Sequence, residues 1–396
     1  MEEHAGKLSA PGKEQLELLA AAGRVLAEPV HADRDFPPFP RAARDGYAVR
    51  AADLIQLPAE LDVVAEIRAG AAPEELPERL AAKQAAAIMT GAACPPGADA
   101  VVMVEYSRRH EERVEITRAV QPGENIVPAG SEAKKDQLLL SPGTRLDEAA
   151  IAVAASVGKS QLQVYRKRGI AVLATGDEVV EVETKPGPNQ IRNSNSYSLA
   201  AQVQAIGAEP LLLPIAPDEP HRLRALIEKG LQSDLLLLAG GVSMGKYDLV
   251  EQVLSELGAE FFFTGAQIQP GRPLVFGRVR DKYFFGLPGN PVSTMVTFEL
   301  FARPVIEALM GLKPRPLAFL HARLKSEVKT KTGLKRFLPA IVSGEFENAQ
   351  VELAGWHGSG DIAATARSNC YLVIPEDRER IAAGEWVAIL PKTIFY

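Results

Sequence analysis

Between residues 166 and 312 the chain alternates short apolar runs with longer stretches of helical spacing. The run 170–174 precedes a helical pattern over 197–206 that Gly207 ends. The run 210–215 precedes one over 219–229, ended by Gly230, and the run 234–239 precedes a third over 249–257. Short all-apolar runs read as buried parallel strands, and their alternation with helices predicts βαβ units in a three-layer α/β domain. Residues 291–310 predict a last long helix, opened by Pro291 in its first turn and kinked at Pro304. Three strand-like runs end in turn residues: at Thr175-Gly176-Asp177-Glu178, at Gly240-Gly241-Val242-Ser243-Met244-Gly245 with Lys246-Tyr247-Asp248 behind it, and at Pro288-Gly289-Asn290-Pro291. Open α/β sheets bind ligands outside their strand ends, so three such ends in one domain predict a crevice.

Outside this domain the pattern changes. Residues 13–26 place Leu16, Leu18, Leu19 and Val25 near a 3.6 period and predict a helix. The segment Phe36-Pro37-Pro38-Phe39-Pro40 forces an extended passage, because proline fixes φ and biases its predecessor away from helix. From 47 to about 127 short strands such as 100–104 and 113–116 alternate with turns, predicting a compact β-rich part. Residues 147–157 predict a helix with Asp147 as N-cap and Gly158 past its end. Beyond Pro314 the strand-like runs 318–324, 351–353 and 370–374 predict a small β-barrel.

At 396 residues the chain is too long for one ordinary core, so two to four domains are expected. The net charge of −6 argues against a nucleic-acid partner. No apolar run reaches the ~18 residues of a membrane span, and Met1-Glu2-Glu3-His4 lacks the layout of a signal peptide, so a cytoplasmic location is expected. Cys94 and Cys370 form no CxxC, and the histidines form no HExxH, which disfavours a disulfide framework or a zinc site. Neither GxxxxGK[ST] nor GxGxxG occurs. Ser243 fits the letters of GxSxG, but its glycine-rich loop reads better as a phosphate hydrogen-bond donor than as a nucleophile's elbow.

Carboxylates gather at the loops: Asp45 in Arg44-Asp45-Gly46-Tyr47, then Glu178, Asp218 and Asp248. Asp45 suits a turn as well as a site, and Asp218 suits a helix N-cap as well as a site. Glu178 and Asp248 lie just past buried strands, on the ligand-binding side. Two unit negative charges about 4 Å apart repel by about 4 kcal/mol at an effective dielectric of about 20. Carboxylates beside a phosphate therefore need a counter-cation, and a hard divalent ion, Mg²⁺ first, answers both sides. Lys246, Arg272 and Arg192 are cations close by in sequence. Phosphoryl chemistry or oxyanion handling is expected rather than hydride transfer.

Taken in order, these residues resemble the molybdopterin molybdenumtransferase family, which includes the C-terminal catalytic part of gephyrin. The carriers run from about residue 16 to 389: Arg44-Asp45-Gly46-Tyr47-Ala48-Val49-Arg50, Ile88-Met89-Thr90-Gly91-Ala92, Gly97-Ala98-Asp99-Ala100-Val101-Val102 and Thr175-Gly176-Asp177-Glu178. Ser194-Asn195, Gly240 to Gly245, Pro270-Gly271-Arg272-Pro273 and Leu287-Pro288-Gly289-Asn290-Pro291-Val292-Ser293 complete the series. The chain departs from the family pattern at 125–132, where an Arg-rich stretch is missing and Glu132 replaces an aspartate. It departs also at Pro40-Arg41-Ala42-Ala43-Arg44, at Asn193, and at Gln269 and Arg272, where lysines are usual. These changes imply either redistributed oxyanion contacts or altered substrate preference.

The resemblance implies an elongated four-domain subunit: a helical and extended domain I at 13–35 and 127–165, and a β-rich domain II at 36–126. An α/β molybdopterin-binding domain III at 166–312, like that of molybdopterin adenylyltransferases, and a barrel domain IV at 313–396 follow. It implies a homodimer whose site lies between subunits. There adenylylated molybdopterin takes up molybdate, and Mg²⁺-dependent hydrolysis releases AMP and molybdenum cofactor. By resemblance Asp45, Thr90, Glu178 and Asp248 are catalytic, with Glu178 and Asp248 at the metal. Gly176, Asp177, Asp218, Gly240, Gly241, Ser243, Gly245, Arg272, Pro288, Gly289, Asn290 and Pro291 bind substrate. A transient contact with the adenylyltransferase is implied as well. Adenylyltransferase activity and a non-catalytic pterin-binding scaffold are the competing readings. Molybdate and tungstate, alike in shape and charge, are not distinguished by sequence.

Overall fold

The structure is a computed structural model describing residues 11–241 and 249–392. Its central sheet runs in the order Glu209–Leu212, Gly169–Ala174, Leu235–Ala239, Lys282–Leu287, Val275–Val279 and Glu260–Phe263. The first four strands are parallel and the last two join antiparallel. Strand alternation divides the apolar runs between two faces. Ile170, Val172, Leu235 and Leu237 pack on Leu199 and Val203 of helix Ser194–Ala205 and on Phe298 and Val305 beyond it. Ala171, Leu173, Leu236 and Leu238 pack on Leu223 and Ile227 of Pro220–Gly230, and on Val250, Val253 and Leu254 of Leu249–Glu256. Each such leucine contributes about 1.5–3 kcal/mol on burial, so the runs had to be apolar on both faces. The three-layer expectation holds.

Strand Gly169–Ala174 has its successor Glu209–Leu212 on one side and Leu235–Ala239 on the other. The crossovers leave it in opposite directions, which makes its C-terminal end a switch point, the usual place for a ligand crevice. The long helix expected over 291–310 forms in three parts: Pro291–Thr297, a π-helical turn Phe298–Ala302, and Arg303–Leu309. Pro304 has no N–H to continue the i−4 ladder, and the wider π turn sits just ahead of it.

The N-terminal expectation fails. Residues 13–26 form not a helix but strand Lys13–Glu17, antiparallel to Gln161–Tyr165, followed by one 3-10 turn, Leu19–Ala21. Leu16 and Leu18 also satisfy a period of two and reach a core of Leu26, Val30, Leu146, Leu162 and Val164, while Leu19 is 83% exposed. The strand partner is far downstream, with Gln15 opposite Gln163, beyond the reach of local periodicity. Helix Glu148–Ser156 packs on the same core, and its N-cap Asp147 accepts from Ala150 N at 2.8 Å.

A second six-stranded sheet runs Ala100–Met103, Gly46–Val49, Gln84–Ile88, Ala59–Ile67, Arg113–Ile116 and Ser107–His110, with separate apolar clusters on its two faces. The C-terminal barrel closes. Lys335–Ser343 pairs with Gln350–Leu353, that with Leu320–Leu324, that with Trp386–Pro391, that with Cys370–Ile374, and that again with Lys335–Ser343. Ile268–Gln269 adds to its edge, and Ile268, Val292 and Val296 pack on Phe337, Tyr371, Val373 and Leu390. The α/β part and the barrel thus share a small core. No helix among the described residues is long and apolar enough to cross a membrane.

Candidate functional site

At the switch point the ends of three parallel strands open on a crevice of about 460 Å³, lined by Thr175, Gly176, Glu178, Asp218, Gly240, Gly241 and the 288–291 loop, among others. Its floor continues the sheet: Thr175 N donates to Ala239 O at 3.1 Å, Gly176 N to Ala216 O at 3.1 Å, and Gly240 N to Leu287 O at 3.1 Å. The amides of Gly176 and Gly240 are therefore already engaged within the sheet. Gly176 and Gly240 serve the site by what they lack. A Cβ on Gly176 would overlap the Glu178 carboxylate, which folds back over it. Gly241, at φ +66, would bring a Cβ to 2.5 Å from Val250 Cγ2 and 2.8 Å from Thr175 Oγ1. Close approach of the loop to the strand end requires glycine there.

Two polar side-chain atoms at the crevice have no partner among the described residues. Thr175 is 5% exposed, and its Oγ1 makes no hydrogen bond. Asn195 donates through Nδ2 to Gly289 O at 2.7 Å, while its buried Oδ1 is unpartnered. An unsatisfied buried polar atom costs roughly 1–3 kcal/mol, so two of them lining one cavity call for a ligand that satisfies them. Neither was singled out from sequence as a binding residue. A threonine directly behind a buried strand was the available signal.

Of the expected site residues, Glu178, Asp218, Gly176, Gly240, Gly241, Pro288, Gly289, Asn290 and Pro291 line the crevice. Asp218 is not a helix cap: the N-cap of Pro220–Gly230 is Glu219, and it makes no side-chain capping bond. Asp177 does not line the crevice. Its carboxylate accepts from Asp218 N at 3.0 Å and so shapes the loop that presents Asp218. Arg272 is exposed and also absent from the lining, where Pro273 and Arg192 stand instead. Asn193 is the N-cap of its helix, accepting from Ser196 N at 3.1 Å. Ser243, Gly245, Lys246 and Asp248 lie outside the described residues.

Asp45 and Thr90 form a separate place on the second sheet. Thr90 donates to Asp45 Oδ1 twice, from its backbone N at 2.6 Å and its Oγ1 at 2.9 Å. The backbone bond first and the hydroxyl bond second hold the Asp45 carboxyl below the usual carboxylate range. Gly46 leaves room for the Val102 carbonyl, which a Cβ would overlap. The adjoining cavity of about 420 Å³ also takes in Tyr47, Glu66, Arg68, Met89 and Arg109, the last bonded to Glu66 at 2.5 Å. It shares no lining residue with the crevice.

The donor chemistry of the crevice is oxygen: the carboxylates of Glu178 and Asp218 and the free Oδ1 of Asn195. Among the described residues no group of three His, Cys, Asp or Glu stands ready to enclose a metal. One or two carboxylates with water and substrate phosphate are the usual Mg²⁺ environment, so these residues fit that ion. Sequence reasoning also missed the barrel loop at Ser359, whose carbonyl accepts from Val292 N at 3.0 Å, beside the proline loop.

Comparison with known proteins agrees with this architecture over the whole chain. The chain is 38% identical to the molybdopterin molybdenumtransferase of a Nostoc species, covering 95% of this chain and 88% of the relative. It is 35% identical to that of Haemophilus influenzae, covering 96% and 93%. The chain belongs to the molybdopterin molybdenumtransferase family. Three family models match in succession: MoeA N-terminal region (domain I and II) at 1–158, a probable molybdopterin binding domain at 171–308, and MoeA C-terminal region (domain IV) at 321–392. The crevice lies within the second of these. A solved molybdopterin biosynthesis moeA protein from Pyrococcus horikoshii OT3 superposes with a TM-score of 0.77 at 30% identity, covering 98% of this chain and 97% of that one.

Proposed function

We propose that this molybdopterin molybdenumtransferase works at the switch-point crevice. It would take adenylylated molybdopterin and molybdate, hydrolyse the adenylate, and release AMP and molybdenum cofactor. The observation that carries the reading is the pair of buried atoms without a partner among the described residues, Thr175 Oγ1 behind a parallel strand and Asn195 Oδ1 in the first turn of helix Ser194–Ala205, both of residues that line the crevice. The hydroxyl can donate to a phosphoryl oxygen, and the amide oxygen can accept from an N–H edge of a pterin. Glu178 and Asp218, with Asp248 as the family resemblance implies, would hold Mg²⁺. When bound, that ion supplies positive charge beside the phosphoryl oxygens. A water then attacks the adenylate phosphorus, the P–O bond to the molybdopterin phosphate breaks, and the water's proton leaves to solvent.

Asp45, bonded by Thr90, lines a different cavity of the same chain, which supports a homodimer in which the partner's second sheet closes the crevice on the molybdate side. In this reading the subunit is divided at 13–35 with 127–165, 36–126, 166–312 and 313–396. The enzyme is cytoplasmic and meets the adenylyltransferase only transiently. The relatives' match through the first and last regions, which a lone molybdopterin-binding domain does not have, favours molybdenum transfer over adenylyl transfer. Clustered carboxylates disfavour a passive scaffold, because they repel an anionic ligand.

The test supplies purified protein with adenylylated molybdopterin, molybdate and Mg²⁺ and follows AMP release. Wild type is expected to turn over, chelation to stop it, and Glu178→Gln to slow it at least ~10²-fold. Wild type that releases no AMP rejects the reaction. Undiminished turnover in Glu178→Gln rejects only the role of that residue.

A further inference from the structure

A third cavity, of about 680 Å³, shares no lining residue with the crevice and lies between helix Arg303–Leu309 and barrel strand Trp386–Pro391. Its walls are apolar, with Pro304, Leu317, Leu320 and Leu390, and its rim is charged, with Arg303, Arg315 and Lys392 outnumbering the Glu307 carboxylate. The cations differ in what they have left to give. Arg303 bonds Glu299 at 3.0 Å and Glu307 at 3.2 Å, so its charge is answered within the protein. Arg315 is exposed and makes no hydrogen bond or ion pair among the described residues. Lys392 donates to the carbonyls of Thr365 and Ser368 and stands over the Tyr371 ring at 5.3 Å, with no carboxylate in salt-bridge range among the described residues.

A lysine held this way retains a third N–H. Burial pushes its amine down to about 8, against a smaller upward pull from Cys370 and the Glu299 carboxylate. The volume falls within the range of small-molecule sites, about 300–1,000 Å³. Prolines and leucines offer a flat apolar wall with few hydrogen-bond partners, which suits an aromatic body better than a nucleotide or a sugar. The Arg315 guanidinium, unpaired among the described residues, and the remaining N–H of Lys392 suit a carboxylate or sulfonate.

We infer that this cleft is a binding site for a small organic anion with a flat apolar body. Its acidic group lies between Arg315 and Lys392, and its body lies against Pro304, Leu317, Leu320 and Leu390. Such a ligand touches the α/β domain and the barrel at once, and so tightens the contact that holds Ser359 on Val292. The site does not depend on the proposed reaction.

The test is calorimetric titration of the full chain with 1-naphthoate, beside its neutral analogue 1-naphthylmethanol and inorganic phosphate. Naphthoate is expected to bind once per chain, with the two controls each at least ~10-fold weaker. Arg315→Gln should weaken naphthoate ~10-fold, and Leu320→Asp, at an exposed strand position, should abolish binding while the chain keeps its melting temperature. Glu178→Gln should leave naphthoate binding unchanged, and Arg315→Gln should leave AMP release unchanged. The inference is overturned if naphthoate fails to bind at millimolar concentration, if both cleft variants bind it like wild type, or if either control binds as tightly. An inactive wild type that still binds naphthoate sinks the proposed reaction and not this site.

Discussion

Thr175 carries the residue-scale argument, because its hydroxyl is buried and idle in the free protein. Thr175→Val keeps the shape and removes the orphan, so the free protein should melt at the same or a slightly higher temperature. Affinity for adenylylated molybdopterin should fall ~10-fold, the worth of a hydrogen bond to a charged oxygen. Lower stability with unchanged affinity would make Thr175 structural. Asp45 offers a test by pH. Its folded carboxyl titrates below the usual range because Thr90 donates to it, so its contribution to stability is fully present above the unfolded value near 3.9 and is lost as pH falls through the folded one. Thr90→Val removes the hydroxyl bond and keeps the backbone bond. The Asp45 titration, followed by carboxyl NMR, should move up part of the way. An unmoved or lowered titration would contradict the hydrogen-bond account.

Among elements, the glycine-ended strands were the most legible. An all-apolar run can only be satisfied between two layers, so 170–174 and 234–239 announced their burial and their place in a parallel sheet. The glycine behind such a strand has a measurable job. Gly241→Ala forces an L side chain to φ +66 and against Val250, and should cost about 1–3 kcal/mol of unfolding free energy in denaturant titration. A neutral substitution would mean the loop relaxes freely. Strand Lys13–Glu17 was illegible for the converse reason. Leu16 and Leu18 fit both periods, and only the distant Gln161–Tyr165 decides between them. The proline at 304 foretold a disturbance in the last helix, while its form, a π turn over Phe298–Ala302, depends on how the two halves pack.

For the whole molecule, Asp45 and the crevice residues line different cavities of one chain; the proposed dimer would bring them into one site, and mixing tests it. Asp45→Asn and Glu178→Gln homodimers should each be nearly inactive. Unfolded together and refolded, they should recover roughly a quarter of wild-type activity, since half the dimers carry one intact site of two. No recovery from a sample shown to contain mixed dimers would exclude a shared site.

Sequence by itself determined the α/β core, the closing barrel and the acidic and glycine-rich loops, because burial, turn chemistry and charge are properties of adjacent residues. Tertiary structure alone decided what faces what. It engaged the amides of Gly176 and Gly240 in the sheet's own ladder, and bonded the Asp177 carboxylate to the backbone of Asp218. It also left Thr175 and Asn195 with unspent hydrogen bonds and seated the barrel's Ser359 on the proline loop. A hydrogen bond's partner lies across the fold, so whether a polar atom is spent or free is invisible until the chain has closed on itself.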